Sequence, residues 1–178
     1  LLFGLLFGLL LTLPFSEAQA RSARADSFFV AAADTVRPLK ERILLLKQAL
    51  KIDRNDVEVL HALGRLYMAQ HTIGSRAAAR ERFKEALVLD PQNVVYHTSY
   101  ATLLRRQGFR YNSMAHFKTI LEIDPDNAQA ACEVGEFLIQ DMFKYLDARR
   151  FDGGGSMRSF GLESRDEAAS CFRYAIEK

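Results

Sequence analysis

The stretch LHALGRLYMAQHTIGSRAAARERFKEALVLDP, Leu60 to Pro91, decides how the rest of the chain is read. Leu60, Leu63, Gly64 and Tyr67 fall at helical spacing, and Ala79, Phe83 and Ala86 do so again after an interval of His, Thr, Gly and Ser. Two such stripes separated by a turn-forming run and closed by Pro91 describe one helix, a turn and a second, antiparallel helix. Small residues stand where helices approach most closely. Gly64, Ala79 and Ala86 are therefore expected inside the pair, with Tyr67, Phe83 and Tyr100 filling the space towards neighbouring pairs.

The unit recurs. Pro91 to Pro125 is 34 residues; within it His97, Tyr100, Ala101 and Leu104 take the first-helix positions and Ser113, Phe117 and Ile120 the second-helix positions. The order of large apolar residue, Leu-Gly, aromatic residue, Ala-x-x-x-Phe and terminal Pro resembles the tetratricopeptide repeat, with Leu60 where that family favours Trp. The resemblance implies an all-α fold, an α-solenoid of stacked antiparallel helix pairs. One pair cannot bury its apolar face alone, so neighbours stack and share a core.

Working outward, residues 36–56 read as half a repeat, a single helix with Ile43, Leu46, Ala49 and Leu50 on one stripe. Thr35 is placed to cap it and Pro38 falls in its first turn. Residues 21–35 lack a clear period and read as a linker, with Phe28 and Phe29 placed to pack on that helix. The next repeats span 57–93, 94–127 and 128–178. In the first of them the interval from Tyr67 to Ala79 is three residues longer than the equivalent interval from Leu104 to Ser113, which predicts a longer turn over His71 to Ser75. Asp56, Asn93 and Asn127 each precede a first helix and are positioned as N-caps. The last repeat opens with Ala131, Val134, Gly135 and Leu138 and resumes at Ala168, Phe172 and Ala175, behind a Ser164-x-x-Glu167 capping box. Twenty-one residues have been added between its halves, a Gly-rich insertion at about 141–163.

The 178 residues are 49% apolar and 26% charged, the balance of a folded chain, with a net charge of +2 too mild to indicate nucleic acid as a partner. Leu1 to Phe15 is almost wholly apolar, and Ala18-Gln19-Ala20 follows as a small-x-small cleavage site. Residues 1–20 therefore read as a signal peptide, with a truncated membrane anchor as the alternative, and membrane contact is expected only through them. The rest of the chain is expected to be exported to a periplasm, cell envelope or extracellular space, or to be membrane-anchored. Cys132 and Cys171 sit in different helices on either side of the insertion and read as free thiols.

Two surfaces are candidates for binding. The first helices of the pairs line the concave side of a solenoid, and helical periodicity places there Glu58, His61, Arg65 and Met68, then Thr98, Thr102 and Arg105, then Gln129, Cys132 and Glu136. Such a mixed face suits a protein or peptide partner. The ordered Lys, Asn and Arg set of repeats that clamp a chaperone tail is missing, so that ligand is not implied. The insertion is the second surface. Arg149, Arg150, Phe151, Arg158 and Phe160, interleaved with Gly, are suited to an anionic or aromatic ligand.

Catalytic signals are weak. The four His lie far apart in sequence without a metal-binding spacing, no Gly-Lys-Ser/Thr ends the Gly run, and Glu133 with Glu136 reads as a solvated helix face. No enzyme activity, metal or cofactor is expected. The function expected is a non-enzymatic protein-interaction scaffold. The alternatives are an N-terminal accessory repeat domain of a longer protein, and an anionic-ligand binder acting through the insertion.

Overall fold

The structure, a computed structural model, describes residues 23–152, the last eleven as helical backbone, and Ala169. Residues 1–20, the insertion beyond residue 152 and Cys171 lie outside the described residues. Helix α1 occupies residues 23–33. It is followed by α2 (Leu39–Ile52), α3 (Val57–Ala69), α4 (Ile73–Leu89), α5 (Val94–Arg106), α6 (Arg110–Ile123) and α7 (Ala128–Asp152). No strand occurs among the described residues, and none of their helices is long and apolar enough to cross a membrane. The chain forms two compact units, Leu1–Pro91 and Gln92–Lys178.

Residues 23–33, expected as a linker, are helical and supply the first helix that the half repeat lacked. Ala25 and Ala32 are 3% exposed and sit two turns apart, with Phe28 and Phe29 packed against the core between them. That is a helical stripe, but one built largely of Ala, so its hydrophobic contrast is low. Arg42 of α2 donates from Nε to the carbonyl of Ala32 at 2.7 Å, satisfying an acceptor that the end of α1 leaves open. Thr35 does not cap α2. The helix starts after Pro38, because a residue preceding proline is pushed out of the α region and Arg37 cannot be helical. Asp34 instead holds a turn, accepting from the Val36 N–H at 3.0 Å.

The other caps form as expected. Asp56 accepts from Val59 N–H at 3.0 Å, Asn93 from Val95 and Tyr96 at 3.1 and 3.3 Å, and Asn127 from Ala130 at 3.0 Å. The longer turn does not form. Thr72 and Ser75 make a reciprocal capping box, Ser75 N–H donating to Thr72 Oγ1 at 3.1 Å and Thr72 N–H to Ser75 Oγ at 3.0 Å. The helix therefore starts early: α4 has 17 residues where α6 has 14, and the three added residues are helical. Gly74 lies in this added turn with nothing within 4 Å of where a Cβ would stand. Gly74→Ala is expected to raise stability by about 0.5–1 kcal/mol, read from the urea midpoint.

Each unit has its own core. In the first, Ile43, Leu46, Ala49, Val59, Leu63 and Leu66 pack together. In the second, Ala101, Phe117, Ile120, Ala130, Val134 and Leu138 do so. Leu46 and Phe117, Ala49 and Ile120, Val59 and Ala130, and Leu63 and Val134 are each 71 positions apart, two 34-residue periods plus the three residues added to α4. The cores of α2–α3 and α6–α7 are thus built on one register. Phe83, expected to face a neighbouring pair, lies within its own: its ring covers Gly64 so closely that a Cβ there would meet Cε1 at 2.6 Å. In α5–α6 that approach is made by Ala101 and Ser113, and the Ser113 hydroxyl donates to the Ala101 carbonyl at 2.8 Å, so the buried oxygen is satisfied.

Candidate functional site

The residues expected on the first-helix face divide between the two units. In the first, all four are on α3. Glu58 and Arg65 are exposed and His61 and Met68 half-buried. In the second, Thr98, Thr102 and Arg105 are on α5 and Gln129 and Glu136 on α7. Thr98 is half-buried and donates to its own helix, at 2.8 Å to the Val94 carbonyl, which leaves it a scaffold residue. Thr102 is half-buried; Arg105, Gln129, Cys132 and Glu136 are exposed. Arg149, Arg150 and Phe151 fall in the last turns of α7, which runs through the first half of the segment expected as an irregular insertion. Arg158 and Phe160 lie outside the described residues.

His61 is held neutral. Burial is the larger cause and the Arg65 charge the smaller, and together they lower its pKa from 6.5 to about 4. Its ring stands 5.7 Å from that of Phe83. The unfolded chain takes up this proton near pH 6.5 while the folded chain resists it to about pH 4. The stability it contributes is therefore complete above pH 6.5 and is lost as pH falls from there to about 4. The ring is only partly buried, so the loss is expected to be about 1–2 kcal/mol, short of the full linkage value. Unfolding of wild type and His61→Gln compared at pH 7 and pH 4.5 checks this, the variant lacking that part of the pH dependence.

Clefts open beside these helices in both units; one in the first unit, of about 550 Å³, lies between α2, α3 and α4 and is lined by Leu50, Leu60, Val88 and Leu89. In the second unit a cleft of about 200 Å³ lies between α5, α6 and α7, lined by Arg105, Arg110, Met114, Phe117, Glu133, Glu136, Phe137 and Gln140. Its polar groups are internally matched. Arg105 pairs with Glu133 at 3.1 Å, Arg110 donates to Gln140 at 2.6 Å, and Gln140 donates to Glu136 at 2.8 Å. Glu133 is not the solvated carboxylate expected from sequence: its side chain is 16% exposed, and burial pushes its pKa up while Arg105 draws it back. Tyr111 completes the α6–α7 contact, donating to Asp141 at 3.0 Å with its ring 5.2 Å edge-on to Phe137. In the first unit a cleft of about 410 Å³ lies between α1, α2 and α3, lined by Phe29, Ala32, Ala33, Arg42, Leu46, Ala62, Arg65, Leu66 and Ala69.

Sequence reading missed one cluster. His97 and His116, 19 residues apart, meet across α5 and α6 with their Nδ1 atoms 2.9 Å apart, beside Tyr100. One ring donates and the other accepts, so the pair holds one shared proton between the facing nitrogens. Burial, then the neighbouring His97, lowers the pKa of His116. Antiparallel register about the Gln107–Gly108 turn was the signal that brings these positions together. Among the described residues no group of three or more metal-ligating side chains gathers.

No family model matches the sequence, and no curated protein matches it. Solved structures do. The crystal structure of MamA, a tetratricopeptide-repeat-like protein, is similar with a TM-score of 0.65 at 15% identity, over 86% of this chain and 77% of that one. A second structure of MamA gives 0.64 at 16% identity, over 89% and 75%. A mutant of the Thermobaculum terrenum O-GlcNAc transferase gives 0.51 at 22% identity, over 69% of this chain but 22% of the transferase. At these identities the shared property is the fold.

Proposed function

We propose that this chain, an all-α fold of antiparallel helix pairs similar to that of tetratricopeptide-repeat-like proteins, is a non-enzymatic protein-interaction scaffold, exported or tethered to a membrane. The observation that carries this reading is the division of labour along α3. Leu60, Leu63 and Gly64 are buried in the scaffold, while Glu58 and Arg65, two turns apart on the same helix, stand exposed, Arg65 at the edge of a cleft. The same division holds on α7, where Ala130, Ala131 and Val134 are buried and Gln129 and Glu136 exposed. A rigid framework presenting polar side chains on one helix face suits the recognition of a peptide segment. Export or tethering is supported by the apolar run Leu1 to Phe15 and the Ala18-Gln19-Ala20 site.

A second reading has its own support. The likeness to the transferase spans 22% of that protein, an arrangement in which repeats form one part of a longer chain, so an accessory repeat domain attached to a separate functional domain is the competing account. In-cell cross-linking followed by mass spectrometry of the full-length product tests both. The scaffold reading expects a recurrent protein partner linked to the first-helix face, and its absence counts against it. An appended catalytic domain in the full product favours the second reading.

A further inference from the structure

We propose that the cleft between α1, α2 and α3 receives an acidic side chain carried on an apolar peptide segment of a partner protein. This rests on the interaction-scaffold reading and gives it a place and a chemistry.

The two clefts are built on the same register. Counting 71 positions on from Ala62, Arg65, Leu66 and Ala69 gives Glu133, Glu136, Phe137 and Gln140, and all eight residues line their respective clefts. In the second unit those positions close the site from within. Glu133 answers Arg105, Gln140 answers Arg110, and Phe137 lies under the Arg110 guanidinium, 5.3 Å from ring centroid to Cζ. In the first unit the carboxylate of Glu133 has become Ala62 and the amide of Gln140 has become Ala69. The cleft there is twice the size, about 410 Å³ against about 200 Å³, and within the range of roughly 300–1,000 Å³ in which protein clefts take ligands.

The charge balance changes with the volume. The second cleft carries two Arg and two Glu; the charged residues lining the first are Arg42 and Arg65. Arg42 gives its Nε–H to the Ala32 carbonyl, as Ser113, 71 positions on, gives its hydroxyl to a carbonyl of the preceding helix, that of Ala101. Among the described residues no carboxylate pairs with Arg42 or Arg65. The remaining wall is Ala, Leu and Phe, which presents no further polar group to a small polar ligand. What fills the equivalent cleft in the second unit is protein side chain, with a carboxylate 3.1 Å from an Arg and an aromatic ring beside it. A partner segment with Glu or Asp flanked by Leu or Phe supplies the missing groups.

The test is fluorescence anisotropy with the full chain and a labelled, acetylated and amidated Leu-Ala-Glu-Leu-Phe-Glu-Leu peptide, beside versions with Gln or Lys in place of Glu. The amide removes any terminal carboxylate. Binding of the Glu peptide is expected to be stronger than that of the Gln and Lys peptides and to weaken with salt. Arg65→Glu and Ala69→Trp should each weaken it by about tenfold or more, and Arg65→Glu should bind the Lys peptide better than wild type does. Lys84→Glu, at an exposed position of α4 away from this cleft, should leave it unchanged. Both replaced positions in α3 are exposed, and circular dichroism confirms that the variants keep their helix content. Equal binding of the three peptides, or binding untouched by both α3 variants, overturns the assignment while leaving the scaffold reading intact. Absence of binding by any peptide overturns the assignment too, and the in-cell cross-linking then judges the scaffold reading separately. A mass that rises with concentration and is reduced by Ala69→Trp gives the cleft to a second copy of this chain and likewise overturns it.

Discussion

Phe83→Ala is expected to lower the stability of the first unit by about 3–5 kcal/mol. Phe83 is 0% exposed and is the largest of the fully buried side chains among the described residues. Its ring covers Gly64 on α3 and stands near His61, so it is the main apolar contact by which α4 closes on α3. Truncation removes the ring and leaves a cavity that helices with capped ends cannot collapse to fill. Urea unfolding gives the size of the effect. Hydrogen exchange locates it, with protection lost in α3 and α4. A loss below about 1 kcal/mol would mean that the pair is held elsewhere.

Gly64→Ala approaches the same contact from the other side. The added methyl would stand 2.6, 2.8 and 3.0 Å from Cε1, Cδ1 and Cζ of Phe83, so either the ring must turn or the helices must part. Overpacking of this kind costs about 1–3 kcal/mol, against the 0.5–1 kcal/mol that Ala normally gains over Gly within a helix. The sign of the effect is therefore diagnostic. In a Phe83→Ala background the clash has no partner, and Gly64→Ala is expected to become neutral or stabilising. A double-mutant cycle should accordingly show coupling well above the roughly 0.3–0.5 kcal/mol of independent sites. Additive effects would refute the close approach.

The repeat was legible because its largest side chains mark it. Leu60, Leu63, Tyr67 and Phe83 announce the helix pair, and Asp56, Asn93 and Asn127 mark three helix starts through a chemistry that needs only the residue type. What was misread lies where small residues do the packing or where the chain chooses between two local structures. Residues 23–33 hid a helix because Ala25 and Ala32 bury as well as Leu yet contribute little hydrophobic contrast. His71 to Ser75 looked like a turn because Gly and Ser favour turns, but the Thr72–Ser75 box started a helix instead. His71 then takes the left-handed conformation, φ 54°, that Gly108 takes at φ 83° after α5. The three added residues also broke the 34-residue register, and with it the alignment that sets Ala62 and Ala69 against Glu133 and Gln140.

For the candidate face, periodicity carried positions and no chemistry. It assigned Glu58, Arg65, Arg105, Gln129 and Glu136 to the concave side of a solenoid; what the structure adds is that each is an exposed residue of a first helix. Periodicity did not show that Thr98 bonds its own helix, that Glu133 is largely buried against Arg105, or that His97 and His116 share a proton. Those properties come from contacts between helices, and helical periodicity describes one helix at a time.

Whether this chain meets another protein through its first-helix face can be read by site-specific photo-crosslinking in cells. A photoreactive residue is placed at Glu58 or Arg65 on α3, and in parallel at the exposed Lys84 on α4. A discrete protein adduct is expected from the α3 positions and none from Lys84. Adducts of equal yield from all three positions, or none from α3, would contradict that role for the face.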